Sequence, residues 1–303
     1  MTDQSVTSAA SRAPASSRRW LLFAFLTVGL WGVWGAYAGI SAQRGFPETL
    51  VYCVWAVTMI VPAVVVMQRE KWALDRDPRS ILYGLMIGLT GAGGQMILFY
   101  AVTTGPAYLI FPIISLSPLV TILLSLVLLK ERTSRLGALG VVLALAALPM
   151  FDFSPQGFSF AHGSTWFPLA LVIMLCWGVQ AFFMKLANDR MSAESIFFYM
   201  MVSGLLLAPV ALAMTDFSRP INWGWDGPGL AAAIQMLNAV GALFLVYAFR
   251  HGKAIVVAPL TNAGAPLVTA VLSLLIAGVM PGQLKMVGLA LAFIAAALLA
   301  TAS

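Results

Sequence analysis

The sequence predicts an all-α membrane protein with ten transmembrane helices in two inverted five-helix repeats, and with both termini cytoplasmic. Composition is the first reason. Of the 303 residues, 61% are hydrophobic and only 9% are charged, whereas a soluble domain carries about a quarter charged residues. The apolar residues lie in long runs, most of which approach the roughly 20 residues that cross a hydrocarbon core. The distribution of Lys and Arg and an internal repeat are the other two reasons.

The first 19 residues are rich in Ser and Ala and predict a disordered cytoplasmic tail. The next apolar run continues past Trp34 without a clear cleavage site, which favours a retained helix over a signal peptide. The ten helices are predicted near 20–41, 48–68, 80–103, 107–129, 134–151, 166–187, 193–214, 228–250, 254–277 and 284–302. They form a first repeat over 20–151 and a second over 166–303, with an extracytoplasmic linker over 152–165.

The basic residues set the predicted orientation. With the N-terminus inside, 14 of the 17 Lys and Arg residues fall in cytoplasmic segments, and only Arg44, Arg219 and Lys285 fall outside. This is the positive-inside pattern. The net charge of +6 therefore reflects membrane topology. The sequence contains no basic patch with interleaved aromatic residues of the kind that binds nucleic acid.

The two halves of the chain resemble each other. Three pairs of segments align, at offsets of 146, 147 and 148 residues in chain order: WGVWGA (31–36) with WGVQAF (177–182), FYAVTTGPAYLIFP (99–112) with VYAFRHGKAIVVAP (246–259), and SPLVTILLSL (117–126) with APLVTAVLSL (265–274). Helices 1–5 thus correspond to helices 6–10. Because five is odd, the halves enter the membrane from opposite sides, an architecture of secondary transporters.

These segments carry a family resemblance. The Trp-Gly pairs Trp31-Gly32 and Trp177-Gly178, the block from Pro112 to Arg132 and its second copy from Pro259 resemble the drug/metabolite transporter superfamily, in the form with two EamA-type halves. The sequence is most similar to bacterial exporters of aromatic and neutral amino acids. The resemblance implies a multi-pass protein of the bacterial inner membrane that moves a small molecule.

Charged residues are predicted to be missing from the membrane centre. All eleven acidic residues, all seventeen basic residues and both histidines lie in loops or at predicted helix ends, and intramembrane charges normally mark ion pathways. A small multidrug antiporter would need a carboxylate there, and a sugar-phosphate carrier would need Lys or Arg. A neutral or zwitterionic substrate fits better.

Candidate substrate-binding residues follow from depth in the helices. The aromatic and amide side chains near helix midpoints, and three tyrosines farther out, are Trp34, Tyr37, Gln95, Tyr100, Ser115, Trp177, Gln180, Asn238, Tyr247 and Asn262. Aromatic faces would stack on an apolar or aromatic group, and amides would bind polar groups. The alternatives are that the amides join helices and that the tyrosines belong to an interfacial belt.

Four prolines in helices 4 and 9 are predicted hinges: Pro112, Pro118, Pro259 and Pro266. Proline leaves the carbonyl four residues earlier without its helical donor, which a membrane helix tolerates beside a cavity or a neighbouring helix. We expect both helices to bend there. Two further expectations concern charged residues. Lys185 extends to the cytoplasmic surface, and Glu48 either begins a helix or forms an outer gate with Arg44.

An exporter that works by alternating access is the leading function. A passive facilitator or channel, and broad-specificity drug or metabolite efflux, are the alternatives. An enzyme is disfavoured because hydrolysis or group transfer needs a nucleophile and a base, or a metal, within hydrogen-bond reach, and the sequence offers two histidines near helix ends and no buried acid. No cofactor is expected, and the two cysteines fit neither a disulfide framework nor a metal site. The expected partners are a small-molecule substrate and the lipid bilayer, and a monomer is favoured.

Overall fold

The protein is described here by a computed structural model over residues 19–104, 113–114, 116–152, 165–277 and 282–301, and these residues form helices and short connections without a strand. The helices are α1 (Arg19–Tyr37), α2 (Ile40–Gln43), α3 (Glu48–Thr58), α4 (Ile60–Arg69), α5 (Pro78–Thr104), α6 (Ser117–Leu124), α7 (Arg135–Asp152), α8 (Trp166–Asn188), α9 (Ala193–Ala213), α10 (Leu230–His251), α11 (Ala254–Ala277) and α12 (Gln283–Thr301). A π-helical turn follows α6 (Ser125–Leu129), and another precedes α10 (Trp225–Gly229).

Six helical segments of the described chain are long and apolar enough to cross a membrane: Arg19–Gln43, Glu48–Arg69, Pro78–Leu98, Trp166–Asn188, Ala193–Ala213 and Trp225–His251. Four shorter apolar helices accompany them, at Ser117–Leu129, Arg135–Ala147, Ala254–Thr269 and Met286–Leu299. The all-helical membrane class is confirmed at this level. Residues 1–18 of the predicted tail and 153–164 of the predicted linker lie outside the described residues.

Two predicted helices differ from the expectation of one unbroken span each. The second is interrupted at Met59, where Pro62 lacks the N–H that would bond the carbonyl of Thr58. In the fourth, α6 begins at Ser117 with Pro118 in its first turn. Proline is accommodated there because the first amides of a helix have no intrahelical partner.

The two halves pack crosswise. Helix α1 packs on α10 and α11 of the second half, and α8 packs on α5 and α6 of the first half. Glycines permit both contacts: a Cβ on Gly32 would lie 2.3 Å from a side-chain carbon of Val268, and one on Gly178 would lie 2.4 Å from a side-chain carbon of Val120. Helices α7 and α12 pack against each other.

The largest apolar core lies at one end of the bundle. It joins the start of α1 around Trp20 and Ala24, the end of α8 around Met184, the start of α9 around Phe197 and the junction of α10 with α11 around Phe249. In the predicted orientation this is the cytoplasmic end. The arrangement leaves a cavity nearer the middle of the helices.

Candidate functional site

A cavity of about 410 Å³ lies between the crosswise helix pairs. Helices α1, α3, α5, α6, α8, α9, α10 and α11 all contribute to its lining. Seven residues singled out from the sequence are in that lining: Trp34, Gln95, Pro118, Trp177, Gln180, Asn238 and Asn262. The structure thus brings most of the mid-helix candidates into one space.

Trp31 and Trp177 occupy equivalent places in the two repeats. The indole N–H of Trp31 donates to the carbonyl of Asn238 (3.2 Å), and that of Trp177 donates to the carbonyl of Gly91 (3.3 Å). The tryptophans are 146 residues apart and the two acceptors 147 apart, which are the offsets of the repeat. The same bond is therefore made twice.

A second pair of equivalent bonds lies beside the first. The hydroxyl of Thr121 donates to the carbonyl of Gly178 (3.0 Å), and the hydroxyl of Thr269 donates to the carbonyl of Gly32 (2.9 Å). These bonds join α6 to α8 and α11 to α1 next to the two Trp-Gly pairs. The cavity is consequently framed by two copies of one hydrogen-bonded unit.

The other polar groups of the cavity are not duplicated. The indole N–H of Trp34 donates to Oε1 of Gln235 (3.2 Å), a residue that is 4% exposed, and Asn238 Nδ2 approaches the same oxygen at 3.5 Å. Asn262 donates to the carbonyl of Ala258 in its own helix (2.9 Å). The amide of Gln180 lies against Gly91 of α5.

The lining contains no charged side chain among the described residues. Its polar character comes from amides, hydroxyls and indoles, while Met59, Met184, Met200 and Phe249 supply apolar surface. The described residues also hold no group of three or more His, Cys, Asp or Glu side chains suited to a metal ion. What this arrangement can do chemically is bind a ligand through hydrogen bonds and aromatic faces.

The three candidate tyrosines are not in the lining. Tyr37 ends α1, and Tyr100 is 52% exposed on α5. Tyr247 stacks on Phe23 with ring centroids 5.1 Å apart, and its hydroxyl bonds Glu194. Tyr247 therefore belongs to the packed end of the bundle.

The proline prediction divides. Pro118 lines the cavity in the first turn of α6, just after the turn at Leu116 that interrupts the predicted fourth helix, and its movement as a hinge stays a prediction. Pro259 is buried within α11, and only the backbone is described for Pro266. Pro112, together with the binding candidate Ser115, lies outside the described residues.

Several lining residues were not among the candidates: Trp31, Trp55, Thr121 and Thr269. The repeat carried a signal for Trp31, because it aligns with Trp177, and for the two threonines, because they align with each other at the offset of 148. Gln235, which holds Trp34, was missed as well. Its only sequence signal is its spacing of three residues from Asn238, which places both on one helix face.

Lys185 does not extend freely to the surface, contrary to the expectation. Its side chain is 16% exposed and lies 3.7 Å from Asp189, and its ammonium donates to the carbonyl of Phe249 (3.3 Å). Since Phe249 lines the cavity, this bond ties α8 to α10 just beyond it. At the other end of the bundle Arg44 lies 4.0 Å from Asp226, and Glu48 is the first residue of α3, which agrees with the alternative in which Glu48 begins a helix.

A loop carboxylate joins the halves at the packed end. Asp75, between α4 and α5, accepts hydrogen bonds from the amide (2.8 Å) and hydroxyl (2.9 Å) of Ser192, the N-cap of α9. Partial burial raises the pKa of Asp75, but the bonds from Ser192 and Ser195 outweigh burial and hold the pKa below its ordinary value of 3.8. Asp75 is therefore charged at neutral pH and fixes this loop to α9.

Known proteins agree with these observations. An uncharacterized protein of Methanocaldococcus jannaschii is 22% identical over 134 residues, which are 44% of this chain and 96% of that protein. The Pseudopaline exporter CntI of Pseudomonas aeruginosa is 28% identical over 199 residues, covering 64% of this chain and 66% of the exporter, just under two thirds of its length.

A solved crystal structure has the same fold. It superposes with a TM-score of 0.73 and 19% identity over 92% of this chain and 95% of the other. The EamA-like transporter family matches this sequence twice, over residues 18–151 and 164–301, and these two matches contain the duplicated Trp-Gly pairs and the duplicated hydrogen bonds around the cavity. The resemblance to the form with two EamA-type halves is confirmed, and the chain belongs to the EamA-like transporter family.

Proposed function

We propose that this transporter exports small neutral or zwitterionic metabolites, with amino acids, aromatic ones included, as the substrate class. The cavity carries the proposal: it lies between the two repeats and is lined by indoles, amides and hydroxyls, with no charged side chain among its described residues. A zwitterion has no net charge to neutralise. It needs hydrogen-bonding groups for its two ends and apolar surface for its side chain, and the cavity offers both.

The proposed arrangement in the membrane has ten spans, inverted halves and cytoplasmic termini, in the inner membrane of a bacterium. The six long apolar segments and the four shorter ones supply the ten spans. The crosswise packing of α1 and α8 supports a two-fold relation between the halves. Export then proceeds by alternating access, in which one repeat moves against the other around the central cavity.

Hinge movement at the prolines is part of this proposal. Pro118 lies where α6 begins at the cavity, and Pro259 interrupts the donor pattern inside α11. Pro112 and Pro266 are proposed as their counterparts on the basis of the repeat. Helices are easiest to bend where a backbone hydrogen bond is already absent.

The test is transport into proteoliposomes from a panel of amino acids, with Trp34→Ala, Trp177→Ala and Asn262→Ala beside the parent. We expect uptake of at least one neutral amino acid, lowered about fivefold or more by each variant, because buried aromatic and amide contacts are each worth about 1 kcal/mol. Trp225→Ala is the control, since Trp225 is 83% exposed and outside the lining. No transport of any amino acid by the parent contradicts the substrate class, and unchanged transport by all three variants contradicts the site.

Pseudopaline belongs in the same panel, because a relative is named as its exporter. Uptake with and without an imposed pH gradient distinguishes the alternatives. Accumulation driven by the gradient supports coupled transport, whereas uptake that only equilibrates, with or without the gradient, supports a passive facilitator.

A further inference from the structure

The two halves of the cavity share one frame but differ at several equivalent positions, among them positions 34 and 180. Residues 31–36 and 177–182 align at an offset of 146, so Trp31 corresponds to Trp177 and Trp34 corresponds to Gln180. The first pair makes equivalent bonds in both halves. Because three residues separate the members of each half, positions 34 and 180 lie on the same helix face as the duplicated tryptophans. The frame therefore presents an indole at one site and an amide at its counterpart.

The surroundings of the two positions are adapted to this difference. On the first side, the N–H of Trp34 donates to buried Gln235 on α10, and the residue 147 positions before Gln235 is Gly88. The position on α5 that is equivalent to Gln235 consequently has no side chain that could bond an indole. Each position is suited to its own residue.

Gln180 fills the space that small residues leave. A Cβ on Gly91 would lie only 2.2 Å from the amide nitrogen of Gln180, so the amide lies directly on the α5 backbone. The residue equivalent to Gly91 is Asn238, which approaches Gln235 behind Trp34. The cavity is thus aromatic at Trp34 and hydrogen-bonding at Gln180, although both positions derive from one repeated motif.

We propose that Trp34 and Gln180 are the specificity-determining pair of the transporter, and that they orient one substrate molecule between them. The substrate is a small amphiphilic zwitterion, whose aromatic or extended apolar group stacks on Trp34 and whose amino-carboxylate end is bound by Gln180. This inference rests on the proposed function. With no charged side chain in the described lining, discrimination depends on ring stacking at one end and amide hydrogen bonds at the other.

The test compares four probes on purified protein by competition binding: phenylalanine, alanine without the ring, phenethylamine without the carboxylate, and 3-phenylpropionate without the amine. Trp34→Gln is expected to reduce the preference for phenylalanine over alanine by about tenfold, the value of a lost aromatic contact. Trp34→Phe retains most of that preference. Neither variant is expected to change the discrimination among the three ring-containing probes.

Gln180→Met removes the amide at nearly constant volume. It is expected to reduce the preference for phenylalanine over phenethylamine or over 3-phenylpropionate by about five- to tenfold, the value of a hydrogen bond to a charged group, and to leave the preference over alanine unchanged. Gln68→Met, at an exposed position of α4, is the matched control. Thermal unfolding in detergent establishes that each variant is folded.

The outcomes separate the two proposals. A parent that binds and transports none of the amino acids contradicts the proposed function, and this inference with it. In another outcome, the parent transports phenylalanine while each variant lowers the affinity for all four probes equally, or changes the preference that was assigned to the other residue. Either result overturns only the orientation of the substrate by Trp34 and Gln180. Selective loss of one preference in each variant supports it.

Discussion

Two neighbouring glycines of α5 meet very different surroundings. A Cβ on Gly91 would collide with the Gln180 amide, whereas one on Gly93 would have nothing within 4 Å. Intrinsic helix propensity favours alanine at both positions by a similar amount. The difference between the two substitutions therefore reports what a methyl group does at the cavity wall, where it meets Gln180.

We predict that Gly91→Ala lowers transport efficiency about fivefold or more while the unfolding temperature changes little. The collision is with the end of a flexible side chain, so Gln180 moves without disturbing the backbone and loses its place in the cavity. Gly93→Ala should transport like the parent. Equal transport by the two variants would contradict a role for the Gln180 position.

Depth along predicted helices was a good guide to the cavity lining for Trp34, Gln95 and Trp177, because residues near helix midpoints converge where the bundle is not filled by its core. The three candidate tyrosines, which the sequence places farther from the helix midpoints, lie outside the lining. Whether a tyrosine faces a cavity, lipid or a neighbour such as Glu194 depends on helix rotation, which one amphiphilic side chain does not determine. Binding by the lining residues stays a prediction.

At the scale of elements, the two glycines that permit the crosswise contacts are equivalent by the repeat. A Cβ on Gly32 would meet Val268 at 2.3 Å, and one on Gly178 would meet Val120 at 2.4 Å and the Ser117 carbonyl at 2.7 Å. Branched side chains and backbone cannot yield as a long side chain does. The helices must separate if either glycine is enlarged.

We expect Gly32→Ala and Gly178→Ala each to destabilise the protein by about 1–3 kcal/mol, the usual cost of overpacking, with a fall in unfolding temperature in detergent. Gly29→Ala is the control, since a Cβ there would have nothing within 4 Å. A glycine variant as stable as the control would show that its helix pair has room to adjust.

Helix positions were largely predictable from apolar runs, since the need to cover about 30 Å of hydrocarbon governs their length. The breaks were not. The interruption at Met59 and the start of α6 at Ser117 both involve prolines, and a proline has the same sequence appearance whether it bends a helix or begins one. Neighbouring helices decide between these outcomes, and a single run does not contain that information.

At the scale of the molecule, polar contacts hold the packed end together: Asp75 bonds Ser192 across the two halves, and Lys185 bonds the Phe249 carbonyl within the second half. In the proposed orientation this is the cytoplasmic end. Such contacts stabilise the present conformation and have to break when the cavity opens to that side.

We predict that Asp75→Asn lowers the unfolding temperature at pH 7 and increases labelling of a cysteine introduced at Phe249. The pKa of Asp75 is lower folded than unfolded, so its contribution is present above the unfolded value of about 3.9 and is lost as pH falls through the folded value. The stability difference between parent and variant should therefore persist from pH 7 to pH 5 and shrink below about pH 4.

Asp216→Asn is the control, because Asp216 bonds its near neighbours Ser218 and Arg219 in an exposed loop of the same half. If Asp216→Asn lowers the unfolding temperature as much as Asp75→Asn does, the effect comes from the loss of one negative charge anywhere on the protein, and not from the link between the halves.

The crosswise packing also determines when, during synthesis, the helices can pack against each other. Hydrogen bonds of α1 reach residues 207, 214 and 237 positions later, from Trp31 to Asn238, from Thr27 to Gly241 and between Gly32 and Thr269. At ribosomal speeds of about 5–20 residues per second, α1 waits on the order of 10–40 s for these partners. Helix α1 thus packs long after it is made, and the cavity is completed only after α11 has been synthesised.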